Sequence, residues 1–126
     1  MREIKFRAWN NLLKVMRYDS SQVLEVMADK ALQKDITEGR YIPMQYTGLK
    51  DKNGKEIYEG DIREGRYFSC TDPTEYIVRQ VMQWDENNAS FMWEYIIGGE
   101  MPSFIETEVI GNIWENPELL THSNIL

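Results

Sequence analysis

The sequence predicts a mainly β chain with a minor α part: a small SH3-like or strongly bent β-barrel in the C-terminal half, preceded by an N-terminal hairpin and one short helix. Three observations predict it. Tyr76 to Trp84 and Phe91 to Ile97 alternate side chains with the period of two that marks a strand. From Gly60 to Trp114, turn residues separate about five short runs of strand-forming residues, the spacing of a small barrel. The stretch Met44 to Asp61 packs an extended segment, a tight turn and a second extended segment into eighteen residues.

Taken in order, Ile4, Phe6 and Ala8 alternate with Lys5, Arg7 and Trp9, as in a half-buried strand. Asn10-Asn11 is a turn and Leu12 to Tyr18 the partner strand. Asp19-Ser20-Ser21 offers helix N-cap types, and Val23, Leu24, Met27, Ala31 and Leu32 recur near helical spacing, which predicts a helix over about 21–35. Gln22 to Met27 also suits a short strand. Pro43 cannot donate to a ladder and marks an edge or strand start. Asp51-Lys52-Asn53-Gly54 puts an acid at the first position of a type I turn and glycine at the fourth, closing a bulged hairpin. Gly60 offers a second reversal, with Asp61 bonding backbone amides just beyond it. Arg63 to Arg66 is expected to turn outward. The strands Tyr76–Trp84 and Phe91–Ile97 turn through Asp85 to Asn88. Glu108 to Glu115 closes the fold, with Gly111 marking a bulge or barrel bend. Asn116-Pro117 starts a capped helical turn. The boundaries are 1–43 for the hairpin and helix and 44–126 for the second hairpin and barrel, or one continuous domain 1–126.

Charge narrows the function. Net charge is −7. It divides unevenly: residues 1–66 hold thirteen of the fourteen Lys and Arg against eleven acids, whereas residues 67–126 hold only Arg79 against ten. An acidic half repels a phosphate backbone, so broad nucleic-acid binding through that half is not expected. The first seventeen residues carry Arg2, Lys5, Arg7, Lys14 and Arg17, a patch suited to phosphate, to solvent, or to the acidic half of a neighbouring subunit. No apolar run approaches the ~20 residues of a membrane span. The N-terminus shows no secretory pattern, which predicts a cytoplasmic protein. The single Cys70 and single His122 exclude an internal disulfide and a thiolate or imidazole metal cluster.

The segments Arg2-Glu3-Ile4-Lys5-Phe6-Arg7-Ala8-Trp9, Met44 to Asp61, and Glu108-Val-Ile-Gly-Asn-Ile-Trp-Glu-Asn-Pro-Glu-Leu-Leu resemble the YopX family of small phage and prophage proteins. The resemblance implies a mostly β protein with a barrel-like C-terminal part, encoded by bacteriophage and acting in a bacterial cell. It brings no catalytic residues.

Recognisable chemistry is absent from the motifs. A calcium loop needs glycine at its sixth position, which would put Leu49 at the first ligand position and Gly60 at the terminal glutamate. The frame fails. Neither GxGxxG nor GxxxxGK[ST] occurs. The pairs Asp85/Glu86 and Asp72/Glu75 are turn acids of the kind that solvate. Trp84, Trp93, Tyr95 and Trp114 fill the core or, for the Trp93 and Tyr95 face, form an interface strip.

The expected function is therefore non-enzymatic and cofactor-free: an accessory protein acting by protein contact, self-associating or binding a host or phage protein, with no membrane partner. Its candidate surface is Arg2, Lys5, Arg7, Lys50, Lys52, Lys55, Trp93 and Tyr95. The alternatives are a small-barrel nucleic-acid binder using the same basic residues, and an acidic DNA mimic.

Overall fold

In the computed structural model of the chain, residues 3–102 and 105–121 are described; Arg2 and His122 lie outside them. The protein is mainly β with two short helices. A first antiparallel sheet has the order β2-β1-β3-β4, from β1 (Phe6–Asn10), β2 (Val15–Arg17), β3 (Tyr41–Lys50) and β4 (Glu56–Tyr58). The second, curled into a half-barrel, has the order β7-β6-β5-β8, from β5 (Asp61–Phe68), β6 (Glu75–Asp85), β7 (Ser90–Ile97) and β8 (Thr107–Asn112). The first sheet thus draws on residues from both sides of position 43.

Local chemistry sets the connections, and in places it departs from the sequence pattern. The β1–β2 turn runs to Lys14 because Asn10 Oδ1 accepts from the N–H groups of both Leu12 and Leu13 at 3.0 Å; β2 is accordingly shorter than Leu12 to Tyr18. Asp19 caps α1 (Ser20–Ala28) by accepting from Gln22 N–H at 3.2 Å. The helix expected over 21–35 breaks at Asp29. That residue is extended, and its carboxylate accepts from Ala31 N–H at 2.8 Å, so the side chain competes with the helical ladder and starts a 3₁₀ turn (Lys30–Leu32) before α2 (Gln33–Thr37). Arg63 to Arg66 do not turn outward; β5 continues through them, with Arg63 to Gly65 paired to both β6 and β8 and Arg66 to β6.

The buried residues come from α1 and from both sheets. Ala8, Trp9, Val23, Ile62, Val78 and Met82 are buried, and Trp9, Met16 and Met44 form a cluster against which Ile42 and Trp114 pack. Trp114 follows β8, so the first sheet's core is closed by the second sheet's end. As an inner strand, β1 is covered on both faces, which overrides its alternating pattern: Arg7, Ala8 and Trp9 are all buried.

Candidate functional site

The Met44 to Asp61 hairpin connects two surfaces, its base and its tip. At the tip, Asp51 N–H donates to Lys55 O at 2.9 Å and Gly54 N–H to Asp51 O at 3.0 Å, closing the turn its residues predict. Asp51 Oδ1 accepts from Asn53 and Lys55 N–H, each at 2.9 Å, while Oδ2 accepts from Val109 N–H at 3.0 Å on β8. Asn53 Nδ2 donates to Glu108 Oε2 at 3.0 Å, so the turn also clasps the second sheet. Burial tends to raise the Asp51 carboxyl, but these backbone donors outweigh it and hold it below the ordinary carboxylate value.

At the base, Gly60 turns the chain at φ +85°, a conformation unfavourable for a residue with a Cβ. Its N–H donates to Met82 O and its carbonyl accepts from Ile113 N–H, both at 2.9 Å, which stitches the hairpin into the second sheet. Asp61 does not bond amides beyond it. Its Oδ2 accepts from Tyr58 N–H, three residues earlier, and its Oδ1 from Arg7 Nη2, both at 2.8 Å. Arg7 also donates to Glu59 O at 3.0 Å, and its guanidinium lies 4.8 Å from the Tyr58 ring centroid and 5.9 Å from that of Tyr18. Both charged side chains are 2% exposed. Burial pushes the Asp61 carboxyl up, against Arg7 and the Tyr58 N–H.

Beside this base, between the two sheets, opens a groove of about 600 Å³. Ile42, Met44, Met82, Trp84, Trp114 and Leu120 form most of its apolar wall. Its charged lining residues are Glu59 and Glu86, with no Lys or Arg among the described ones. Glu59 accepts from Gln45 N–H at 2.8 Å, and Glu86 is exposed. Trp114 Nε1 is buried without a hydrogen-bond partner among the described residues. The described lining carries no Ser, Thr, Cys, His, Lys or Tyr, and no group of three or more His, Cys, Asp or Glu among the described residues could hold a metal ion.

The structure distributes the sequence-named surface residues over several places. Arg7 is in the interior, held by Asp61 because an inner strand leaves it no route to solvent, so it forms no part of a surface patch. Lys5 is half-buried, paired with Glu56 and lying 5.1 Å from the Tyr46 ring centroid. Arg2 falls outside the described residues. Lys50, Lys52 and Lys55 are exposed together on the hairpin tip, with no ion pair among the described residues. Trp93 lies half-buried with the Arg63 guanidinium 4.1 Å from its ring centroid; Tyr95 is 43% exposed, its hydroxyl accepting from Met101 N–H at 3.2 Å. The groove joins residues from distant strands. Met44 and Met82 read as core filling, and only the abundance of tryptophan hinted at Trp84 and Trp114.

Two small antiparallel sheets bridged by one hairpin, with an open apolar groove beside the bridge, define a β-rich half-barrel protein. Residues 5–121 match the family described as YopX protein, and the chain belongs to the YopX family. The crystal structure of protein EF1440 from Enterococcus faecalis is similar to it, with a TM-score of 0.62 and 28% sequence identity over 96% of this chain and 100% of that one. No curated protein matches the chain. No helix among the described residues is long and apolar enough to cross a membrane.

Proposed function

We infer that this is a non-enzymatic accessory protein of phage or prophage origin, acting by protein contact in the bacterial cytoplasm and self-associating. The observation that carries the reading is the groove: apolar walls with methionine and tryptophan, two carboxylates, and no nucleophile or imidazole among its described lining residues. Methionine and aromatic residues are the types enriched at protein interfaces, and a groove of about 600 Å³ accommodates one or two large side chains of a partner segment. The carboxylates favour a segment in which an apolar residue neighbours Lys or Arg.

Short peptides carrying Leu or Trp flanked either by lysines or by glutamates test this, with the protein's tryptophan emission as readout. Lysine-flanked peptides are expected to bind, to weaken as salt rises, and to weaken when Glu86 becomes Lys. Failure of every peptide to perturb the emission refutes the reading. Binding of nucleic acid by Lys50, Lys52 and Lys55 is the competing reading, favoured by the convergence of these lysines on one tip. Three phosphate contacts give a shallow salt slope, and a gel shift without salt-sensitive retardation of DNA or RNA removes it.

A further inference from the structure

We propose that the groove's occupant is the hairpin tip of a second copy of the chain, so that molecules associate head to tail. This rests on the groove being a protein-contact site, and it names the partner. The tip supplies what the groove lacks: Leu49 is 55% exposed, and Lys50, Lys52 and Lys55 follow it within six residues, exposed and without ion pairs among the described residues. The groove supplies apolar walls with Glu59 and Glu86 and no basic described lining residue. Charge and polarity are therefore complementary on one chain.

The same molecule cannot satisfy itself. Met44 in the groove and Lys50 near the tip are six residues apart on β3; four of those, Tyr46 to Lys50, bulge against two residues of β4, so the separation is about four strand steps, ~13 Å. Hydrogen bonds to β8 at the tip and to Met82 and Ile113 at the base hold that separation, so the hairpin cannot fold back. A contact between two different patches of identical chains is heterologous, and it continues into a ring or a chain of subunits unless the rotation closes at two.

Sedimentation velocity or light scattering across a concentration series at low salt tests this, with wild type, Leu49→Asp, the Lys52→Glu/Lys55→Glu pair, and the groove variants Glu86→Lys and Trp84→Ala. All the altered residues are exposed, and thermal melts check that each variant folds. Wild type is expected to self-associate, and each variant to do so at least tenfold more weakly. An equimolar mixture of Leu49→Asp with Trp84→Ala should restore a one-to-one complex, because an intact groove meets an intact tip once and growth then stops.

A wild type that stays monomeric throughout overturns the proposal. So does self-association that tip and groove variants leave unchanged, or a mixture that fails to complement. Lysine-flanked peptides binding the groove of a monomeric wild type would remove this partner while leaving the groove a contact site; no binding by either route removes both.

Discussion

Breaking the Arg7–Asp61 pair gives the sharpest test of how the fold is held. Asp61→Asn keeps an oxygen for Tyr58 N–H but removes the charge facing a guanidinium that is 2% exposed. Arg7→Met keeps the stem and removes the charge, leaving the buried Asp61 carboxylate without its cation. Each single change leaves one uncompensated buried charge, a loss of about 3–5 kcal/mol. That is a large part of the about 5–15 kcal/mol by which domains of this size are stable. The pair itself contributes much less than either loss suggests. Burial raises the Asp61 carboxyl despite Arg7, and Arg7 Nε is buried without a hydrogen-bond partner among the described residues, so desolvation is incompletely offset. The double variant should therefore be less destabilised than the sum of the singles by about 2 kcal/mol or more, the signature of coupled neighbours. Urea unfolding followed by the fluorescence of the four tryptophans measures all three variants against wild type. Single losses below about 1 kcal/mol, or a strictly additive double variant, would refute this account of the interior.

Two further perturbations probe the tip and the second sheet. Asp51→Ala removes the acceptor for three backbone N–H groups, one of them on β8, and at about 0.5–1.5 kcal/mol per bond should cost about 2–3 kcal/mol, seen as a fall in Tm on the order of 10 °C. A Tm within a degree or so of wild type would show that the turn holds without its clasp. Glu64 is the pH probe: burial tends to raise its carboxyl, but hydrogen bonds from Arg79 at 2.8 Å and Arg66 at 2.9 Å outweigh it and hold the value below 4.5. A depressed carboxylate contributes stability that is present above its unfolded-state value and lost as pH falls through its folded-state value. Urea unfolding of wild type and Glu64→Gln should therefore differ by a constant amount at neutral pH and converge below pH 4.5; a gap that persists into strong acid contradicts the assignment.

What the sequence makes legible is what short-range hydrogen bonding decides. The Asp51–Gly54 turn, the Asp19 cap, the β6–β7 hairpin and the bend at Gly111 are each closed by partners a few residues apart or by one close approach. At Gly111, where the register of β8 against β5 shifts, an added Cβ would lie 2.4 Å from Asn116 Oδ1, which accepts from Asn112 N–H. Asn116, expected to cap the turn after it, makes no side-chain cap bond there, because its side chain is directed back to Asn112. Arg7 was illegible for the opposite reason. Period-two alternation assigns it to the polar face of β1, and the carboxylate that reverses the assignment stands 54 residues away. Asp29 lies between these cases, since its local side-chain bond to Ala31 was present in the pattern but apolar spacing on both sides outweighed it. The groove could not be found in this way, because Met44, Met82 and Trp114 meet only when two sheets are assembled.

The hairpin's two roles fall on separate residues. A lone two-stranded hairpin is marginal in water. Here Gly60 and Asp61 fix the base and Asp51 and Asn53 the tip, so the segment becomes a strut tied to the second sheet at both ends. Gly60 and Asp61 are buried, and the Asp51 carboxylate is taken up by backbone donors; these residues are spent on structure. Leu49, Lys50, Lys52 and Lys55 are exposed, and their side chains make none of the hydrogen bonds or ion pairs that tie the hairpin to the second sheet. Substituting the exposed set therefore changes what the tip can touch while the strut still holds it away from the groove, and substituting the fixed set changes that separation itself. Loss of association from the first set with an unchanged melt, and from the second only with a lowered one, is the physical consequence of that division.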